Sequence, residues 1–250
     1  MTRTACALAL ALGAGISGGA AAAEDQRTDW TVSVGAGAIA APTYPGSSSL
    51  RVLPLPLVDV RYGDRFFLSP LGTGVNLIAD GRLRLGIAVT PDLGRDGDSV
   101  RRLQAIGPAA DAKLFAEVGV GPVGLLADVR HQLGGADGTL ADAGVSTRLP
   151  VLPNLFLSAT ALLTWADGQS MRSYFGIDGG SPGGLGFRSF TPGAGLREAS
   201  LLLMAFVRFD EHWGAQTLVR ASRLLGDAAA SPVAEQTLQT SFGGFLTYKL

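Results

Sequence analysis

The chain has 250 residues, a formal net charge of −1, 47% hydrophobic residues and only 16% charged ones, and its mean hydropathy is +0.29. The near-neutral charge leaves no basic footprint for nucleic acid, and a single cysteine excludes a disulfide framework. Charged residues fall well below the ~25% usual in soluble domains, a deficit that suits a chain showing half of its strand residues to lipid.

Arg3 supplies a positive start, an apolar run follows from Ala5 to about Ile16, and Ala21, Ala22 and Ala23 form a small-residue cleavage site ahead of Glu24, Asp25 and Gln26. This layout predicts a secretory signal peptide over residues 1–23, because the apolar core is shorter than the ~20 residues of a helical span. Cleavage there removes Cys6 and leaves no thiol for metal or redox chemistry. No later stretch is long and apolar enough for a membrane-crossing helix.

From Trp30 onward the chain alternates. Trp30, Val32, Val34, Ala36 and Ala38 take one parity, and Thr31, Ser33, Gly35 and Gly37 the other. A second segment covers 50–62, and residues 65–79 form one strand or two short ones split at Pro70. Leu83, Leu85, Ile87 and Val89 then oppose Arg84, Gly86 and Ala88, and Leu114, Ala116 and Val118 oppose Lys113, Phe115 and Glu117. After the Gly121-Pro122 turn, Val123, Leu125 and Val129 oppose Asp128 and Arg130, and Ala141, Ala143 and Val145 oppose Asp142 and Arg148. The pattern continues through 155–165, 200–209, 213–222 and 238–250.

Within these segments every charged residue falls on one parity. Successive side chains of a strand point to opposite faces, so the charges share a face. A soluble sandwich also alternates, but three features favour a membrane. The strands run about ten residues rather than the 5–6 of soluble sheets. The other face is free of charge. Trp30, Trp165, Phe209, Trp213 and Tyr248 sit at strand ends, as an interfacial girdle requires. Tight turns at 121–122, 152–154 and 210–211 read as periplasmic, and long connections at 91–109, 167–197 and 224–236 as extracellular. The fold expected is all-β: a single antiparallel transmembrane β-barrel over residues 24–250. It has twelve strands, with ten as the alternative, since both termini on the periplasmic side require an even number.

Several stretches resemble the MipA/OmpV family of outer-membrane proteins: Pro42-Thr43-Tyr44-Pro45-Gly46-Ser47, Pro54-Leu55-Pro56, Arg65-Phe66-Phe67-Leu68-Ser69, Tyr174-Phe175-Gly176-Ile177, Phe190-Thr191-Pro192-Gly193-Ala194-Gly195, and Arg223 through Pro232. No single motif is unique, but their order covers nearly all of the mature chain. The resemblance implies an outer-membrane barrel. For the type member it implies a scaffold that joins a murein hydrolase (a lytic transglycosylase) to a murein synthase in the periplasm. The alternative is a small channel or a surface adhesin. The sequence ends in Leu250 where such barrels usually end in an aromatic residue.

No cofactor, metal site or catalytic group is expected. The two histidines, His131 and His212, lie at strand ends without a nucleophile in a recognisable motif, and the partner expected beyond the scaffold proteins is outer-membrane lipid. The candidate site is therefore a set of loop residues in the family-like motifs: Tyr44, Gly46, Tyr174, Phe175, Gly176, Arg223, Asp227, Ser231 and Pro232. They would either meet a partner or fold inward as a plug. Asp227 is expected to N-cap a short turn through Ala228, Ala229 and Ala230, stopped by Pro232. Inward charges are expected to pair as Arg84 with Glu117, Arg130 with Asp128, and Arg148 with Asp142, keeping the lumen nearly closed.

Overall fold

The computed structural model describes residues 30–92, 94, 106–177 and 188–250; the expected signal peptide lies outside the described residues. Twelve strands close into one antiparallel barrel. In chain order they are β1 (Trp30–Pro42), β2 (Leu50–Tyr62), β3 (Phe66–Ser69), β4 (Gly72–Ala79), β5 (Leu83–Asp92), β6 (Ala109–Val120), β7 (Val123–Leu133), β8 (Thr139–Leu152), β9 (Leu155–Ala166), β10 (Gly195–Arg208), β11 (Trp213–Leu224) and β12 (Leu238–Lys249). Helix α1 (Gly168–Phe175) lies between β9 and β10, and α2 (Gly226–Ala230) between β11 and β12. The segment around Pro70 is two short strands, which gives the twelve-strand count.

Closure comes from β1 pairing with β12, with Ala36 opposite Leu246 and Ala40 opposite Phe242. This pairing joins the first strand to the last and so removes the two terminal edges of the sheet, which in hydrocarbon would leave whole rows of backbone groups unsatisfied. The alternation places Val34, Ile87, Leu125, Leu203 and Leu246 outward and exposed, with Glu117, Asp142, Glu198 and Ser241 buried inside. At the short-turn end Trp30 packs on Tyr62 with ring centroids 4.8 Å apart, and Trp213 on Tyr248 at 5.0 Å, forming part of an aromatic girdle.

Five tight turns gather at that end: residues 63–65, 80–82, 121–122, 153–154 and 209–212. Two are held by an aspartate. Asp80 accepts the backbone N–H of Arg82 at 3.0 Å and of Leu83 at 2.6 Å, and Asp210 accepts those of His212 at 2.8 Å and Trp213 at 2.7 Å. These backbone donors hold both carboxyls below the usual aspartate range. The longer connections, 43–49, 134–138, 167–177 with 188–194, and 225–237, gather at the other end. Short turns mark the periplasmic rim of such barrels and long loops the extracellular rim.

The candidate site: an extracellular cap over a charged lumen

Helix α1 begins where Asp167 turns the chain inward. The Asp167 carboxylate accepts the Ser170 backbone N–H at 2.8 Å through Oδ1 and that of Thr139 at 2.9 Å through Oδ2, so one side chain caps the helix and ties it to β8. Gly138 lies against the first turn; a Cβ there would sit 2.5 Å from the Ser170 backbone nitrogen, so only glycine lets the helix seat. The strand-period reading leaves this helix as loop, because alternation carries no helical signal over so short a span.

The helix buries Met171, Tyr174 and Phe175 against Leu140, Ala166, Leu224 and Ala228, closing a small apolar core over the barrel mouth. Tyr174 donates its hydroxyl to Asp92 Oδ2 at 3.0 Å, and Gln132 Nε2 donates to the same oxygen at 2.6 Å. Burial, followed by the neighbouring Asp92 charge, pushes the Tyr174 hydroxyl pKa well above its ordinary value. The Arg197 guanidinium lies 4.8 Å from the Tyr174 ring centroid and 5.5 Å from that of Phe175. Ser231 Oγ donates to the Phe175 carbonyl at 2.7 Å, joining α1 to the segment after α2.

A second cluster beside it packs Tyr44 with Ile177, Val233 and Phe190. Gly46 adopts φ +99°, and a Cβ there would lie 2.8 Å from Ala234 Cα, so this turn requires glycine. Its carbonyl accepts the Gln236 N–H at 3.0 Å, and Gln239 Nε2 reaches the Tyr44 and Ser47 carbonyls. Ser48 binds Glu235 through both hydroxyl and backbone, and these bonds hold the Glu235 carboxyl below its ordinary range.

Of the nine residues singled out in sequence, Tyr44, Gly46, Tyr174, Phe175, Gly176 and Ser231 thus meet in one cap, and the Gly176 N–H closes α1 on the Arg172 carbonyl. Asp227 reaches the cap differently from the expectation. Leu225 occupies the N-cap position of α2, and Asp227, inside its first turn, accepts the Gly193 N–H at 2.8 Å through Oδ2. A carboxylate already within the turn cannot reach back to cap it, so it ties the loop before β10 instead. Pro232 is exposed just past the helix end at Ala230, and Arg223 is exposed on the outer parity of β11; neither joins the cap core.

Below the cap the lumen is charged on one side and apolar on the other. Arg84 pairs with Glu117 at 3.4 Å and Lys113 with Asp128 at 2.8 Å. Arg130 pairs with Asp142, with Asp128 at 3.5 Å and with Asp111 at 3.7 Å, and Arg220 pairs with Glu198. Thr164 donates to Asp142. Arg148 does not meet Asp142: the two stand six positions apart on β8, roughly 20 Å along a strand, and the Arg148 guanidinium lies over Phe156 at 5.1 Å and Phe206 at 5.7 Å. Arg82, which shares the inward parity of Arg84, lies in the exposed 80–82 turn instead of the lumen. A polar cavity of about 60 Å³ remains between these charges and the cap, bounded by Arg130, Asp142, Arg197, Arg220 and Ser241, room for a few waters. Across the lumen, Ile39, Leu57, Leu202, Leu218 and Phe245 form an apolar cluster that fills the middle of the barrel. Sequence reasoning missed Asp92, Gln132, Met171 and Arg197, which lie at strand ends or in the helix, where parity carries no information.

A closed, even-stranded antiparallel barrel with an apolar exterior, a charged interior and an aromatic girdle defines an outer-membrane β-barrel protein. Within that class the chain belongs to the family described as MltA-interacting protein MipA, whose profile matches residues 34–250. Among curated proteins nothing matches in sequence. Among solved structures it is similar to OmpT, an outer membrane protein of Vibrio cholerae, at 9% identity and a TM-score of 0.38, covering 91% of this chain and 100% of that one. It is also similar to the NanC porin at 6% identity and 0.45, covering 88% and 100%. OprD from Pseudomonas aeruginosa follows at 12% identity and 0.37, covering 88% and 65%. Scores this low carry nothing about function.

Proposed function

We propose that this protein is a non-conducting outer-membrane anchor whose periplasmic rim engages a murein hydrolase of the MltA type. The observation that carries the first half is closure at two levels. The cap of Met171, Tyr174 and Phe175 covers the mouth, and the Leu57–Leu218–Phe245 cluster fills the middle. Such a lumen offers no continuous water path, so the barrel serves by position rather than by transport. The family description supports the second half. The rim supplies the means: fixed turns carry mixed charges at Asp80, Arg82, Asp210 and Glu211 beside exposed Phe209 and Trp213. A flat, rigid surface of this kind binds without an ordering cost, although its turns are short. Binding of a purified MltA-type lytic transglycosylase to the full barrel in lipid nanodiscs tests this. Saturable binding that weakens on Phe209→Glu is expected; no binding at micromolar protein contradicts the scaffold reading. The charged inner wall favours a second reading, a small channel, which measurable conductance would promote.

A further inference from the structure

As the described residues form it, the barrel wall has a gap above the short β3–β4 hairpin. Strand β3 has four residues, and β2 pairs with it only through Val60, Arg61 and Tyr62. Among the described residues, β2 from Leu50 to Val58 is therefore paired on its β1 side alone. On the far side β4 meets β5 no higher than Thr73 opposite Val89. Two missing strand widths at ~4.8 Å each leave an opening roughly 10 Å wide between β2 and β5. It lies on the extracellular side of the Trp30–Tyr62–Phe66 girdle, among the outward and exposed Leu50, Val52 and Val58.

Hydrogen-bond direction shows which backbone groups face this gap. The Val32 carbonyl accepts from Leu250, so even-numbered residues of β1 point to β12 and odd ones to β2. Ser33 stands opposite Asp59, so odd residues of β2 point to β1 and even ones to the gap; the Tyr62 carbonyl, which accepts the Arg65 N–H, agrees. Pro54 and Pro56 are even. On β5 the Leu83 carbonyl accepts from Asp80 on the β4 side, and Arg82 bonds to Gly119 on the β6 side, so odd-numbered Pro91 also faces the gap. The hairpin floor carries Pro70. Both edges and the floor thus hold proline, and on the edges it falls where an N–H would otherwise point, unpaired, into hydrocarbon. Proline at such positions deletes the donor and blocks pairing with a further strand. The edge is built to stay open.

Behind the gap, below Arg51 at its upper end, the inner parity of β2 is apolar from Leu53 through Leu55 to Leu57, continuing onto Leu71, Ile39 and Phe245. We infer that the gap is a lateral acyl-chain site: hydrocarbon tails of outer-leaflet lipid enter between β2 and β5 and lie against Leu53 and Leu55 on the lumen side. Water would leave this leucine wall wetted, and a pairing strand is refused by the prolines; a lipid tail satisfies the leucines and asks nothing of the missing donors.

The test is fluorescence quenching in vesicles of phosphatidylcholine brominated at mid-chain, using the full-length barrel with its three native tryptophans replaced by phenylalanine. Leu203→Trp faces lipid and Phe206→Trp faces the lumen on the opposite wall, so they bracket the response. Leu55→Trp is expected to be quenched like Leu203→Trp although it shares the lumen-facing parity. If Leu55→Trp does not assemble, Leu53→Trp, nearer the rim on the same face, gives the same reading. Quenching by aqueous iodide instead of bromine would make the gap a water-filled window, and quenching by neither would mean that the chain itself fills it. Either result overturns the inference, and neither bears on murein-hydrolase binding at the opposite rim.

Discussion

Arg130 stands where three carboxylates converge, Asp111, Asp128 and Asp142, in a lumen that excludes most water. Removing a buried cation leaves its partners uncompensated, which costs about 3–5 kcal/mol, whereas an exposed pair contributes about 0–1 kcal/mol. Arg130→Ala is therefore expected to lower the urea midpoint of the folded barrel sharply, and Arg61→Ala, which loses only the exposed contact to Asp59 at 2.9 Å, to leave it nearly unchanged. Equal shifts in the two variants would contradict the buried network. Tyr174 supplies a pH dependence at the cap. Its hydroxyl pKa is raised by burial and by Asp92, so its contribution to stability is complete below the ordinary tyrosine pKa of ~10 and is lost as pH climbs from there through the folded value. Tyrosinate absorbance is expected to show a late-titrating group that Tyr174→Phe removes; loss instead of a group titrating near the ordinary ~10 would put Tyr174 in solvent.

At the scale of the strand, parity decides tolerance. Leu203→Arg places a charge on the lipid face of β10 and is expected to cost about 2–4 kcal/mol near the midplane. Phe206→Arg, on the opposite parity of the same strand, points toward Arg148 rather than lipid and meets a different limit, repulsion and crowding. Insertion into vesicles, scored as the folded fraction, is expected to fall for Leu203→Arg; unimpaired insertion would reverse the face assignment. The faces were readable in the sequence because a period of two is a property of the backbone, and a charge on the wrong parity has no refuge in hydrocarbon. Alternation alone leaves 65–79 as one strand or two split at Pro70, and the even strand number of a barrel favours two. What the pattern does not encode is partner choice within a face. Arg148 and Asp142 share the lumen but stand too far apart on β8 to meet, and Asp142 is taken by Arg130 and Thr164. Nor does parity reach helices: α1 is specified by Asp167 and by the close approach of Ser170 to Gly138. Asp227 has the composition of a cap, yet its distance from the helix start, set by Leu225, gives its carboxylate to Gly193.

For the whole molecule, the cap and the mid-barrel cluster act in series. The cap draws on four separated stretches, 43–49, 134–138, 167–177 and 225–237, and links them through Tyr44, Tyr174, Ser231 and Gln239 to the strands beneath. Opening it would require breaking an apolar core and several buried hydrogen bonds together, and the Leu57–Leu218–Phe245 cluster would still obstruct the path. The lateral gap reaches the lumen from the side and offers the membrane interior, not water. Whether ions cross is therefore decisive, and single-channel recording of the purified full barrel in a planar bilayer answers that most directly. A silent baseline after insertion is expected, with no stable steps at either polarity. Large, long-lived, porin-like steps from the unmodified protein would contradict a closed lumen.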